Sequence, residues 1–456
     1  MKRRPPESLL KSVRAIALLP ALFLVGCGTN GTLLKAQKQY RSGEFRSALS
    51  TLRGEAKKQK DSSGDAPVLR LEHGAMALTA GQKAEAAEAL RAADQALTYR
   101  DQRPVVQLGR EAGAMLTNLN SMAYNTSPSE RVMGASLLAL SFAANGELDK
   151  ARSAIKLAKN RQADNFGKFQ AQIERERQSL EQAVEANPRV RVQLKPGAVE
   201  GAQKTLETTA ARFQPYANFS VPYSELLAGI LLGSGPQPDT GRSRESFGHV
   251  LSCYPRNEHV KRAAAGSPEG MTHVILEEGV APSLDQFRID VPIVLNGKVV
   301  LFSAAFPSLE IHPHPAEAVL RVGEESVSAS TVCEFDRIVA AEYRRKLPGT
   351  VARTVAASTL KAVLSYAAQE AAQQQDPNVA RIAAIATGIY NVASAQADRR
   401  ICASLPKTVR YACVKTPASG HLFVNGTKIA LANEGKTRLV VARVVNGSVS
   451  SVSIGL

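Results

Sequence analysis

Two histidines and two carboxylates crowd the stretch Glu310-Ile311-His312-Pro313-His314-Pro315-Ala316-Glu317. Imidazoles two positions apart on an extended segment point to the same side and could share a zinc ion. No third histidine stands at metal-ligand spacing, no H-E-x-x-H helix accompanies them, and the flanking prolines place the stretch in an exposed loop. Neither a metal nor a cofactor is therefore expected. A thiol paired with an imidazole has one local candidate, Cys253 between His249 and His259, on a helix where a small apolar core residue is expected. The chain has no G-x-S-x-G elbow and no C-x-x-C, and the Gly/Pro loop Gly233–Gly241 lacks the Gly-Lys-Ser/Thr ending of a phosphate-binding loop. Asp398 and Arg400 are read as an ion pair fixing a corner before Pro406. No residue is assigned a catalytic role.

The first thirty residues carry a different chemistry. Five basic residues, Lys2, Arg3, Arg4, Lys11 and Arg14, lead into the apolar stretch from Ala15 to Val25 and then Leu24-Val25-Gly26-Cys27. A basic region, a short apolar core and a small residue before the cut make a secretory signal. Eleven apolar positions including Pro20 fall far short of the roughly 20 that a spanning helix needs. Leu-Val-Gly-Cys resembles the lipobox of bacterial lipoproteins, which implies cleavage of residues 1–26, lipidation of Cys27 and a short linker over 27–31. Two or three acyl chains hold a protein to a membrane for practical purposes permanently. Gly28 and Thr29, rather than an acidic residue, follow Cys27, as in lipoproteins sorted to the outer membrane with the body facing the periplasm.

Removing residues 1–26, with five basic and one acidic side chain, lowers the formal charge from +16 to +12. A basic surface in the envelope would meet anionic lipid head groups or wall polymers, or simply stay soluble. Nucleic acid is not an expected partner of a secreted protein. With 44% apolar residues the chain is not disordered. Four cysteines besides Cys27 remain, namely Cys253, Cys333, Cys402 and Cys413. In an oxidising compartment Cys402 and Cys413, eleven apart across a turn-forming stretch, are the pair that closes most easily. Cys253 and Cys333 are read as small apolar side chains.

The elements that position these groups fall into two halves. Over 32–265 the pattern is helical, and Tyr40-x-x-Gly43-x-Phe45-x-x-Ala48-x-x-x-Leu52 returns around Gly81 and again around Gly146. A divergent copy keeps Ser243, Phe247, Val250 and Pro255. These copies resemble the tetratricopeptide repeat, whose glycine permits the turn and whose alanine lets two helices approach. Such units stack with one concave face open to a partner, so a protein or peptide is expected there, with Arg41, Lys83 and Lys150 as first positions to probe. Over 270–456 the pattern changes to an α+β domain. Its strands flank Asn296-Gly297, Asn425-Gly426 and Asn446-Gly447, the strongest short hairpin signal. Helices are expected near 331–346, 350–374 and 377–399.

Several stretches taken in order are similar to a family of bacterial lipoproteins with tetratricopeptide-like repeats in front and a β-rich domain behind. They are Ser129-Glu130-Arg131-Val132 leading to Leu140, Gly146 and Arg152; Tyr216-x-Asn218 through Tyr223, Leu226 and Gly229; Glu278-Gly279-x-Ala281-Pro282; Arg353 with Lys361; and Ala397-Asp398-x-Arg400 with Leu405-Pro406. The match spans roughly 35–450, and Cys402 stands where the family has tryptophan. No activity is established for that family; its members occur beside lipoproteins that activate peptidoglycan synthases or resemble secretion-pore subunits. The resemblance implies a place in envelope assembly and names no catalytic residue. The reading is a non-enzymatic outer-membrane scaffold or adaptor. The competing reading is an enzyme or carrier for peptidoglycan or exported polysaccharide, with a carboxylate-lined cleft between the halves.

Overall fold

A computed structural model describes residues 28–102, 123–185, 196–216, 220–266, 270–295, 297–374 and 377–456. Cys27 and the signal residues, Asn218 and Asn296 lie outside them. The fold is α+β. Helix α1 (Gly28–Arg41) begins immediately after Cys27, so residues 28–31 are helical rather than linker.

Helices α1 and α2 (Phe45–Lys58), α3 (Ala66–Thr79) and α4 (Lys83–Asp101), and α5 (Pro128–Ala144) and α6 (Leu148–Glu185) form three antiparallel pairs. Each pair turns on a left-handed glycine, Gly43, Gly81 or Gly146, at φ +80°, +79° and +80°. The same two backbone bonds close every turn, for example Gly43 N–H to Tyr40 O at 2.9 Å and Glu44 N–H to Gln39 O at 3.0 Å. Three identical turns from three similar segments are what the spacing predicts. Helices α7 (Pro196–Ala210), α8 (Pro222–Gly233), α9 (Thr240–Cys253) and α10 (Glu258–Ala264) complete this half, with α8 and α9 packed as a fourth pair. Asp239 and Asn257 cap α9 and α10 through their side chains.

The strands that follow are β1 (Met271–Glu278), β2 (Ser283–Leu295), β3 (Lys298–Glu310), β4 (Leu320–Val322), β5 (Glu325–Val327) and β6 (Ser330–Glu334). After helices α11 (Phe335–Gln373) and α12 (Pro377–Ser394) come β7 (Thr408–Lys415), β8 (His421–Val424), β9 (Thr427–Ala430), β10 (Arg438–Val445) and β11 (Ser448–Gly455). The main sheet has the order β11-β10-β1-β7-β6, with β1 parallel to β10 and antiparallel to β7. Every residue of β1 is buried. One face of the sheet packs on the helices through Ile275, Tyr411 and Val441; the other, through Val274, Leu276 and Val440, meets the small sheet β5-β4-β8-β9. This three-layer arrangement buries both faces of β1, its polar Thr272, His273, Glu277 and Glu278 included.

Two expectations are corrected. One helix, α11, replaces the two expected around Pro348, and residues 330–334 are strand rather than helix. Packing of α11 along β3 carries the helix through the proline, since tertiary contacts outweigh the lost backbone bond. The Cys402–Cys413 bridge is not formed, and both thiols are free and buried. Cys413 lies five residues into β7, about 17 Å along an extended strand from its start, while Cys402 precedes that strand. A disulfide needs its Cα atoms within about 7 Å.

Candidate functional site

The two halves are joined by ionisable side chains drawn into one core that runs from Leu33 to Leu456. The strap 398–407, between α12 and β7, does most of the joining. Glu72, buried on α3, accepts hydrogen bonds from Gln37 Nε2 at 2.6 Å and from the backbone N–H groups of Ala403 at 2.7 Å and Ser404 at 3.3 Å. Glu130, in the first turn of α5, accepts from Ser127 N–H at 2.8 Å, from Tyr124 Oη and from Cys402 N–H at 2.8 Å. Arg443 on β10 donates to Tyr40 Oη at 2.9 Å and to the carbonyls of Ser404 and Leu405. Burial pushes the Glu72 carboxyl above the usual range, while its donors pull the other way. A buried group with all its partners specifies a single arrangement.

Because the strap, β10 and β11 sit there, the side of α1 and α3 that faces them is filled by this chain. Tyr40 meets Arg443, Thr79 O accepts from Ser450 Oγ, and Gln37 Nε2 also reaches Ile401 O at 2.7 Å. The open concave groove expected from the repeats is absent over these positions.

The residues singled out in the sequence separate accordingly. Arg400 makes the expected fork to Asp398, with both bonds at 2.7 Å, and also binds Asp65 across the seam. His312 and His314 lie on the loop after β3, where His312 Nε2 sits 3.4 Å from Arg41 and Glu310 accepts from Ser283 Oγ at 2.7 Å. Among the described residues no group of three or more His, Cys, Asp or Glu is placed to hold a metal. His259 turns to the Cys413 N–H at 3.2 Å, and His249 lies 3.4 Å from Glu225, so neither imidazole is directed to Cys253 by these bonds. Arg41 is engaged with Ser283 at 3.1 Å, whereas Lys150 is exposed beside Glu147.

At one end of the strap a cavity of about 140 Å³ opens between α5, α11 and the base of β2–β3. Leu284, Val339 and Leu347 form apolar walls, and Glu342, Lys346 and Arg353 supply charge. Glu342 and Asp398 give this cavity the two carboxylates that a cleft enzyme would need. Glu342, however, accepts from Ser129 N–H and Oγ, both at 2.7 Å, and Asp398 is held by Arg400. Burial raises the Glu342 carboxyl, offset by Lys346 and Ser129.

Beyond the cavity, β2–β3, the second half of α11, and α12 form an arm. Its construction inverts that of a helix pair in water. Between α11 and α12 lie buried Lys361, Ser365, Gln369, Thr387 and Asn391, bonded to one another and to backbone; Lys361 Nζ donates to Ser394 O at 3.0 Å and Asn391 Nδ2 to Leu301 O at 3.0 Å. Burial pulls the Lys361 amine down to about 8. The outer face of α12 carries Ile382, Ile385 and Ile389 at 55%, 65% and 61% exposure, and the hairpin end carries the cross-strand pair Val294 and Val299 at 68% and 64%. No residue from Ile382 to Ser394 is charged.

Neither the strap nor the arm was picked out as a site from the sequence. A glutamate inside the mostly apolar stretch Val68–Leu78, and isoleucines at i, i+3 and i+7, were the available signals. Compared with known proteins, the chain matches no family model, no curated protein and no solved structure.

Proposed function

We propose that the protein is a non-enzymatic lipoprotein of the outer membrane, anchored through Cys27, that acts as a scaffold or adaptor in assembling the cell envelope. The observation that carries this reading is the arm. Uncharged branched aliphatics left exposed together on one helix of a folded protein mark a protein or membrane interaction surface, and here they stand on a body locked by buried charges. The helix pairs, with their tetratricopeptide-like turns, serve as a rigid frame whose inner face is occupied in cis. The lipobox supports the anchor, and among the described residues no helix is long and apolar enough to cross a membrane.

Affinity purification of the lipidated protein after mild crosslinking in cells, followed by mass spectrometry, tests this function. Recovery of defined envelope proteins is expected. Purified protein that turned over peptidoglycan or an exported polysaccharide, and lost that turnover in Glu342→Gln, would replace the scaffold with the cleft enzyme. That second reading draws its support from the carboxylate-lined cavity.

A further inference from the structure

We propose that the outer face of the arm lies against the same lipid surface that holds Cys27, so that the protein meets its membrane at two places; this rests on the lipoprotein reading above. The first observation is the inversion of the helix pair. Along α12 the buried positions are Ala383, Thr387, Asn391 and Ser394, while Ile382, Ile385 and Ile389 face out. On α11, Lys361, Ser365 and Gln369 are buried and Leu364 is exposed. Polar groups turned inward and branched aliphatics turned outward suit acyl chains.

The charge pattern agrees. Among residues 354–369 only Lys361 is charged, and its amine is buried on a backbone carbonyl. Cations appear where the apolar face ends. Arg381 is exposed at the start of α12, and Lys298 Nζ lies 5.4 Å from the centre of the Tyr366 ring near the hairpin end. Long cations and tyrosines at the border of an apolar face are the pattern of the water–lipid boundary.

The third observation is position. The glycine turns after α1 and α3 gather at one end of the helix pairs, where Asn446 Nδ2 reaches Ser42 O at 3.4 Å and Ser450 Oγ reaches Thr79 O. Since the helices run antiparallel, Gly28 lies at the opposite end, with the start of α3 and the Gly64–Asp65 turn. There Gly64 O accepts from Tyr124 N–H at 3.0 Å and Asp65 binds Arg400, so this end borders the cavity from which the arm projects. The residue after Cys27 therefore lies at the end of the helix pairs that borders the cavity at the base of the arm.

The depth of contact is limited by the hairpin. Among the described residues β2 pairs only with β3, so its outer backbone groups have no strand partner there. Such groups cannot enter hydrocarbon alone. The arm thus lies in the boundary region, with its apolar side chains about 5–10 Å deep.

Flotation of the mature chain carrying Cys27→Ala, purified without detergent, on vesicles of phosphatidylethanolamine and phosphatidylglycerol in a three-to-one ratio tests the contact without the acyl anchor. Binding is expected and should persist in high salt, which screens the basic body. The double substitution Ile385→Glu with Ile389→Glu should lower the bound fraction about tenfold or more, because it places carboxylates in the apolar boundary. An unchanged urea midpoint would show that the variant folds, as both side chains are mostly exposed. Binding that vanishes in high salt, or that survives the double substitution, would overturn the proposal. So would self-association in sedimentation velocity that the double substitution abolishes, without vesicle binding; the cover would then be a second copy. Absence of both would assign the face to another protein and overturn it as well. Labelled palmitate on the native chain reports separately on Cys27, so failure of the anchor and failure of the arm are told apart.

Discussion

Glu72 is the residue on which the joining of the two halves can be tested most simply. Its carboxylate receives three donors, two of them backbone N–H groups of the strap. Removing it leaves those donors buried and unmatched, each costing about 1–3 kcal/mol. Glu72→Ala should therefore lower stability to urea by about 3 kcal/mol or more and expose the amides of Ala403 and Ser404 to hydrogen exchange. A loss under about 1 kcal/mol would mean that the strap is held elsewhere. His273, fully buried on β1 with Nδ1 2.5 Å from Tyr411 Oη, gives a prediction with a sign in pH. Burial depresses its pKa to about 4. Below about pH 6.5 the unfolded chain takes up a proton that the folded chain refuses, so stability is lost as pH falls from 6.5 toward 4. His273→Gln cannot titrate. Between pH 7 and 4.5 the wild type should lose about 2–3 kcal/mol more than this variant, a comparison in which the buried carboxylates common to both cancel.

The repeated helix turn makes its own prediction at the scale of elements. Gly43 and Gly81 share a φ near +80°, which costs any other residue about 1–2 kcal/mol. Only Gly43 is crowded, since a Cβ there would stand 3.0 Å from the carbonyl oxygen of Val445 and 2.5 Å from Ser448 Oγ, whereas nothing lies within 4 Å of Gly81. Gly81→Ala should cost about 1 kcal/mol and Gly43→Ala clearly more, measured by thermal or urea unfolding. Equal losses would mean that the β10–β11 turn does not dock on the first helix pair. These turns were legible in the sequence because glycine marks them directly, and the strands beside Asn425-Gly426 and Asn446-Gly447 were legible for the same reason. Pro348 misled because its local rule was overridden by packing on β3. The Cys402–Cys413 pairing misled because spacing along the chain says nothing of a strand that carries one thiol away from the other.

For the whole molecule, the division into two halves at about residue 265 was visible in the change of periodicity, but their union was not. Charged residues at 72, 130 and 443 look like surface positions until a partner from the other half meets them, and the pairing of Arg400 with Asp398 gave no sign of Asp65. The same limit hid the arm. Ile382, Ile385 and Ile389 have core spacing, and only the buried polar seam opposite them shows that they face outward. The central proposal is that this outward face meets lipid in the envelope while the side of α1 and α3 facing the strap is filled from within. The most direct measurement places a photo-crosslinking amino acid at position 385 of the lipidated protein in living cells, with position 150 as an exposed control. Adducts to membrane lipid at 385, well above those at 150, are the predicted result. Adducts at 385 to envelope protein alone, or reaction only with water as at a solvent-exposed side chain, would contradict a lipid-facing arm.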